Sequence, residues 1–131
     1  MIADEPSDQP LRPRLIVVED SFPVAESLKS LLQTTSCDVV GMAGNVQTAL
    51  DLVASARFDL ALLDIDLHGD HVTAVAEAVL ARGKPVIFLS GYGDADILPP
   101  HLRTLPRLEK PADPTELFDA IARALAVTSV E

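Results

Sequence analysis

Leu60-Ala-Leu-Leu-Asp64-Ile-Asp66 is the stretch that decides the fold. Four apolar residues run without interruption into two carboxylates. A strand with one wet face would alternate apolar and polar residues, so this run reads as a strand covered on both faces, as in a parallel sheet. The same shape recurs along the chain. Leu15-Ile-Val-Val18 runs into Glu19-Asp20, Pro85-Val-Ile-Phe-Leu89 into Ser90, and the weaker Arg107-Leu-Glu109 into Lys110. A fifth run, Asp38-Val-Val-Gly-Met-Ala43, ends without a reactive side chain.

Helical patterns fill the intervals. Val24, Leu28, Leu31 and Leu32 recur at helical spacing, with Pro23 tolerated in the first turn. Val46, Ala49, Leu50 and Val53 follow Asn45, a good N-cap, and Val72, Val75, Val79 and Leu80 are stopped by Gly83. The last helix begins at Asp113 with Pro114 in its first position, and its core face is Leu117, Ile121 and Leu125. Between Gly91 and Pro106 the pattern fails. Two glycines and three prolines there allow at most one helical turn, around Asp94 to Leu98, with few apolar anchors. Strand–helix alternation of this kind predicts an α/β fold: a doubly wound, five-stranded parallel sheet whose fourth helix is short or disordered.

Composition sets the boundaries of function. The chain has 131 residues, 48% of them hydrophobic, enough for one domain that buries roughly two-thirds of its unfolded surface. Twenty acidic residues against ten basic ones exclude a nucleic-acid-coating protein and a binder of anionic membranes. No run approaches the ~20 apolar residues of a bilayer span, and the first residues do not form a signal peptide. A lone Cys37 fits a reducing, cytoplasmic compartment and reads as a small core residue. Residues 1–13 read as a disordered tail, 14–126 as the domain and 127–131 as a second tail, too short for an output module.

In open α/β sheets ligands bind beyond the carboxyl ends of the strands, where the winding reverses. Glu19, Asp20 and Asp64 would crowd about three negative charges there, raising some of their pKa values. A hard divalent cation relieves that repulsion: Mg²⁺ (or Mn²⁺) takes carboxylate oxygens and keeps sites for water and phosphate. Ser90 and Lys110 suit the remaining oxygens of a phosphoryl group. The set points to metal-assisted phosphoryl transfer with a carboxylate as the attacking group.

Val-Val-Glu19-Asp20-Ser, the strand ending in Asp64, Ile-Phe-Leu-Ser90-Gly and Glu-Lys110-Pro111 together resemble the receiver domains of two-component response regulators. The likeness covers about residues 14 to 126 and implies a flavodoxin-like sheet. It implies that Asp64 accepts a phosphoryl group from a histidine kinase or histidine phosphotransfer protein. Glu19, Asp20, Asp64 and the backbone carbonyl of Asp66 would hold the metal. Lys110 would pair with the phosphoryl oxygens, Ser90 would hydrogen-bond one of them, and the Lys110–Pro111 bond would be cis. Pro85-Val-Ile-Phe-Leu-Ser-Gly-Tyr-Gly93 is similar to the Phe-Ala-Thr-Gly-Tyr signature of a subgroup of stand-alone receivers.

Two departures redirect the output. Arg107 stands where typical receivers carry an aromatic switch residue, and the only tyrosine, Tyr92, sits two residues after Ser90. The expected signalling surface is therefore Ser90, Gly91 and Tyr92, facing a downstream protein target. Two rivals remain at this level. A small phosphatase of the haloacid dehalogenase type would use Asp64 and Asp66, and an interaction module would keep the fold without becoming phosphorylated.

Overall fold

The computed structural model describes residues 12–34, 37–67, 70–91 and 97–130, with side chains to residue 126. Five parallel strands form the sheet: β1 (Arg14–Val18), β2 (Asp38–Ala43), β3 (Leu60–Asp64), β6 (Val86–Ser90) and β7 (Arg107–Glu109), in the spatial order β2-β1-β3-β6-β7. From β1 the chain steps outward to β2, then crosses back over β1 to β3 and continues to β6 and β7. The winding thus reverses between β1 and β3, which opens a crevice at their carboxyl ends. A two-residue pair, β4 (Asp66–Leu67) and antiparallel β5 (Asp70–His71), follows β3 and has no counterpart in the sequence reading.

Helices cover both faces. Leu28 and Leu32 of α1 (Phe22–Gln33) and Leu117 and Ile121 of α4 (Pro114–Val130) pack with Leu15, Val17, Leu62 and Ile87. Ala49 and Val53 of α2 (Val46–Ser55) and Val75, Ala76 and Val79 of α3 (Thr73–Ala81) pack on the other side with Ile16, Val18, Leu63 and Phe88. Alternate residues of β1 and β3 therefore serve opposite cores, which is why neither strand shows a polar face. The expected caps are present: Asn45 Oδ1 accepts from Thr48 N at 2.8 Å and Asp113 Oδ2 from Glu116 N at 3.0 Å.

Local geometry explains several departures from simple periodicity. The β1–β2 register shifts between Leu15 and Ile16, so Val40 bulges out and is 42% exposed. A Cβ on the following Gly41 would lie 2.5 Å from Leu52 Cδ1, so any larger residue there would have to displace the Leu52 side chain of α2. Val24 and Leu80, expected in the core, are more than a third exposed, because Ala25 and Ala76 take the inward positions. At the end of α3, Arg82 donates to the carbonyls of Val53 in α2 and of Ala56 just after it, and its guanidinium lies 5.3 Å from the centre of the Phe58 ring, tying the two helices together. Helix α4 continues through Val130, beyond the 126 at which the sequence reading ended the domain.

No α-helix lies between β6 and β7 among the described residues; the link contains a 3₁₀ turn at Pro100–Leu102. Residues 92–96, where most of the expected turn falls, are outside the described set. The expectation of few apolar anchors is corrected here. Leu98 and Leu102 are each 1% exposed and join the same core as Val75, Ala76 and Val79 of α3. His101 Nε2 meets Glu77 Oε2 of α3 at 2.9 Å. Leu102→Ala should therefore cost about 2–4 kcal/mol of stability, as a core truncation does. Urea unfolding measures this, and a loss below about 0.5 kcal/mol, typical of an exposed position, would contradict the anchoring.

Candidate functional site

The site follows from the sheet register. Val18 pairs with Leu63, Asp64 with Leu89 and Ser90 with Glu109, so four strands end at one level. Three backbone bonds fix the residues that follow them. Glu19 N donates to Ala43 O at 2.9 Å, Ile65 N to Leu89 O at 3.0 Å and Lys110 N to Ser90 O at 2.9 Å. The side chains next to these bonds inherit their precision from the sheet.

Among the described residues, Glu19, Asp64 and Ser90 are the buried polar and charged ones, each less than 5% exposed. Lys110 Nζ lies between the first two, donating to Asp64 Oδ2 at 3.1 Å and standing 3.2 Å from Glu19 Oε1. The far oxygens are held by backbone amides. Glu19 Oε2 accepts from Ser21 N at 3.1 Å and Asp64 Oδ1 from Asp66 N at 3.2 Å. Glu19 Oε1 is a buried side-chain oxygen without a hydrogen bond: the ammonium touches it, but not at a hydrogen-bond angle.

Glu19, Asp20 and Asp64 each offer a carboxylate oxygen, all within 4.8 Å of one another. Three carboxylates against one ammonium leave an excess of two negative charges when all are ionised. Burial is the main cause that pushes the Asp64 carboxyl up to about 6, with repulsion from Glu19 adding to it and Lys110 opposing it. Burial works against the Lys110 charge, yet its contacts to Asp64 and Glu19 outweigh that and raise its pKa. The donor set is all hard oxygen, one of them buried without a hydrogen bond, and it fits a divalent cation such as Mg²⁺ or Mn²⁺. The carboxylates open onto a pocket of about 350 Å³ that Ser21, Val24, Asp66, Gly91 and Lys110 also line.

The structure brings Glu19, Asp20, Asp64, Asp66, Gly91 and Lys110 to one pocket, with Ser90 buried at the end of β6. The Asp66 side chain is exposed, and its contact with Asp64 is through the backbone. Lys110–Pro111 is cis, and Arg107 is exposed on β7. Tyr92 lies outside the described residues. The sequence reading did not single out Ser21, whose amide orients Glu19. Its signal was weak: a Ser before Phe22-Pro23 marks a helix start, but its N–H rather than its side chain makes the contact.

The Asp64 shift has a sign that stability measurements can read. A carboxyl whose pKa rises on folding contributes stability below its ordinary value near 3.8, and that contribution is lost as pH rises to about 6. Without metal, Asp64→Asn should therefore exceed the wild type in stability at pH 7 by about 1–3 kcal/mol. The gap should close toward pH 4. Urea unfolding in EDTA checks this, and a gap independent of pH would contradict the assignment.

Comparison with known proteins agrees with this geometry. The family model described as the response regulator receiver domain matches residues 15–122. The transcriptional regulatory protein TdiR of Thauera aromatica is 32% identical over 117 residues, covering 86% of this chain and 51% of that protein. The chain spans about half the length of the curated relatives it matches. Among solved structures, the signal receiver domain of a modulated diguanylate cyclase from Desulfovibrio desulfuricans G20 is 27% identical with a TM-score of 0.82, covering 92% of this chain and 98% of that one. SdrG from Sphingomonas melonis Fr1 is 34% identical with a TM-score of 0.73, covering 89% and 96%. With its sheet order, acid cluster and lysine in place, this chain belongs to the response regulator receiver domain family.

Proposed function

We propose that the protein is a response regulator whose Asp64 accepts a phosphoryl group from a phosphohistidine on a histidine kinase or histidine phosphotransfer protein. The observation that carries this is the seating of the Asp64 carboxylate, buried at the end of β3 between Lys110 and Glu19 and opening onto the pocket. An Asp64 oxygen forms the new O–P bond as the P–N bond to the donor imidazole breaks, and the imidazole leaves with a proton. The product dianion lies beside the Lys110 ammonium, which stays within reach because its backbone is tied to Ser90. Glu19, Asp20, Asp64 and the Asp66 carbonyl would hold Mg²⁺ or Mn²⁺, which supplies neutralisation of charge on the transferred group.

Ser90, at the end of β6, would hydrogen-bond the phosphoryl oxygens and carry the change into Gly91 and Tyr92, the proposed surface for a downstream protein target. Chain flexibility at Gly91 suits that movement. Among the described residues no helix is long and apolar enough to cross a membrane, and the acidic surface disfavours nucleic acid. A cytoplasmic phosphorelay intermediate, sink or docking regulator fits these features. The protein would carry one phosphoryl group per cycle without turning over a substrate. Phosphatases of the haloacid dehalogenase type carry their second acidic pair late in the chain, whereas Glu19-Asp20 follows the first strand, which supports this reading over such an enzyme; the intact lysine supports it over an inert module.

Incubation with acetyl phosphate and Mg²⁺ followed by intact-mass spectrometry should show a single added phosphoryl group that decays with time. Asp64→Asn should abolish it, and EDTA should suppress it. Full-level modification of Asp64→Asn would place the acceptor elsewhere. Sustained release of phosphate from a generic ester would favour the phosphatase.

A further inference from the structure

We propose that the two turns entering β3 and β6, at the end of the sheet opposite the acid cluster, dock a short acidic segment of a partner protein. Charge is sorted along the strands. Glu19, Asp20, Asp64 and Asp66 stand where strands end. Arg12, Arg14, Arg57, Arg82 and Lys84 stand where β1, β3 and β6 begin. The acids at the strand starts are Asp38 and Asp59, and both are taken. Asp38 Oδ1 lies 2.8 Å from Arg12 Nη2, and Asp59 Oδ2 accepts from Arg14 N at 2.7 Å. Five cations against two carboxylates leave an excess of three positive charges here, in a chain whose net charge is −10.

Arg57, Arg82 and Lys84 carry that excess. Arg82 is fixed before any partner arrives, its Nη1 on the Val53 and Ala56 carbonyls and its guanidinium over the Phe58 ring. Those contacts leave Nε and Nη2 of this exposed residue without a partner among the described residues. A guanidinium already locked in place loses little freedom on binding, and its spare N–H groups suit the two oxygens of a carboxylate. Arg57 lies in the chain between Ala56 and Phe58, the residues that Arg82 touches, and Lys84 follows Arg82 by two positions. Neither Arg57 nor Lys84 makes an ion pair among the described residues. The turn between Arg82 and Lys84 is open, since a Cβ on Gly83 would meet nothing within 4 Å. Helix C-termini attract cations for their own sake, and Arg82 meets that need for α2. Arg57 and Lys84 go beyond it.

A short run of Asp or Glu fits this surface better than a long polyanion. A nucleic acid following its phosphates would leave the three cations and meet the surrounding acids within a Debye length, about 8 Å at physiological salt. A segment held here also leaves the Asp64 pocket open, because the five residues of β3 keep the two ends roughly 16 Å apart.

Fluorescence anisotropy of a fluorescein-labelled hexaglutamate peptide, titrated with the full chain at about 50 mM salt, tests this. Arg57→Gln/Lys84→Gln should weaken binding at least about fivefold relative to the wild type. Lys29→Gln/Arg123→Gln, the same change of net charge placed on α1 and α4, should stay within about twofold of it. Equal weakening by the two pairs, or no binding by the wild type, would overturn the proposal. Tighter binding of a labelled hexathymidylate than of hexaglutamate would overturn it in favour of nucleic acid. Amide shifts of the wild type give a check that needs no variant. Hexaglutamate should move the signals of Arg57 to Asp59 and of Arg82 to Lys84, and leave those of Glu19, Asp20 and Asp64 in place. Shifts centred anywhere else would overturn the assignment.

Discussion

The ammonium of Lys110, set between the buried carboxylates of Glu19 and Asp64, is the interaction on which the rest of the site depends. Burying a carboxylate is costly unless it is paired and hydrogen-bonded, and here two are buried side by side. One ammonium and two backbone amides make this tolerable without making it comfortable. The residual strain is electrostatic, seen in the raised Asp64 carboxyl and in the unbonded Glu19 oxygen. A fold that carries such a cluster is poised to take up positive charge.

The sheet makes this crowding possible. A parallel sheet that reverses its winding between β1 and β3 must bring the ends of those strands together, and their registers leave Glu19 and Asp64 no room to diverge. The apolar residues inside the strands pin that register from both faces, since a slip by one residue would exchange the two cores. Core packing and site chemistry are thus one problem. Val18 and Leu63 are wholly buried immediately before residues that carry charge.

Much of this is legible in the sequence. Uninterrupted runs such as Leu60 to Leu63 report burial on both faces, and their endings report which side chains reach the same edge. Asn45 and Asp113 announced their helices because cap chemistry is local. What escaped depends on contacts between distant segments. Leu98 and Leu102 lie in a stretch broken by proline, so no period marks them as core, yet they join the same core as α3. Val24 lost its inward place to Ala25, because helix rotation is set by the partner surface and not by hydrophobicity alone. The Ser21 amide on Glu19 is a backbone contact, and side-chain identity carries little trace of it.

The proposed function turns on the charge held at Asp64, so the electrostatic state of that carboxyl is the quantity to measure. Titration of the Asp64 side-chain carboxyl by ¹³C NMR, in EDTA and again in saturating Mg²⁺, observes it directly. The account predicts a midpoint near 6 without metal and a clear fall when metal is bound. A midpoint near the ordinary 3.8 that Mg²⁺ leaves unchanged would contradict it.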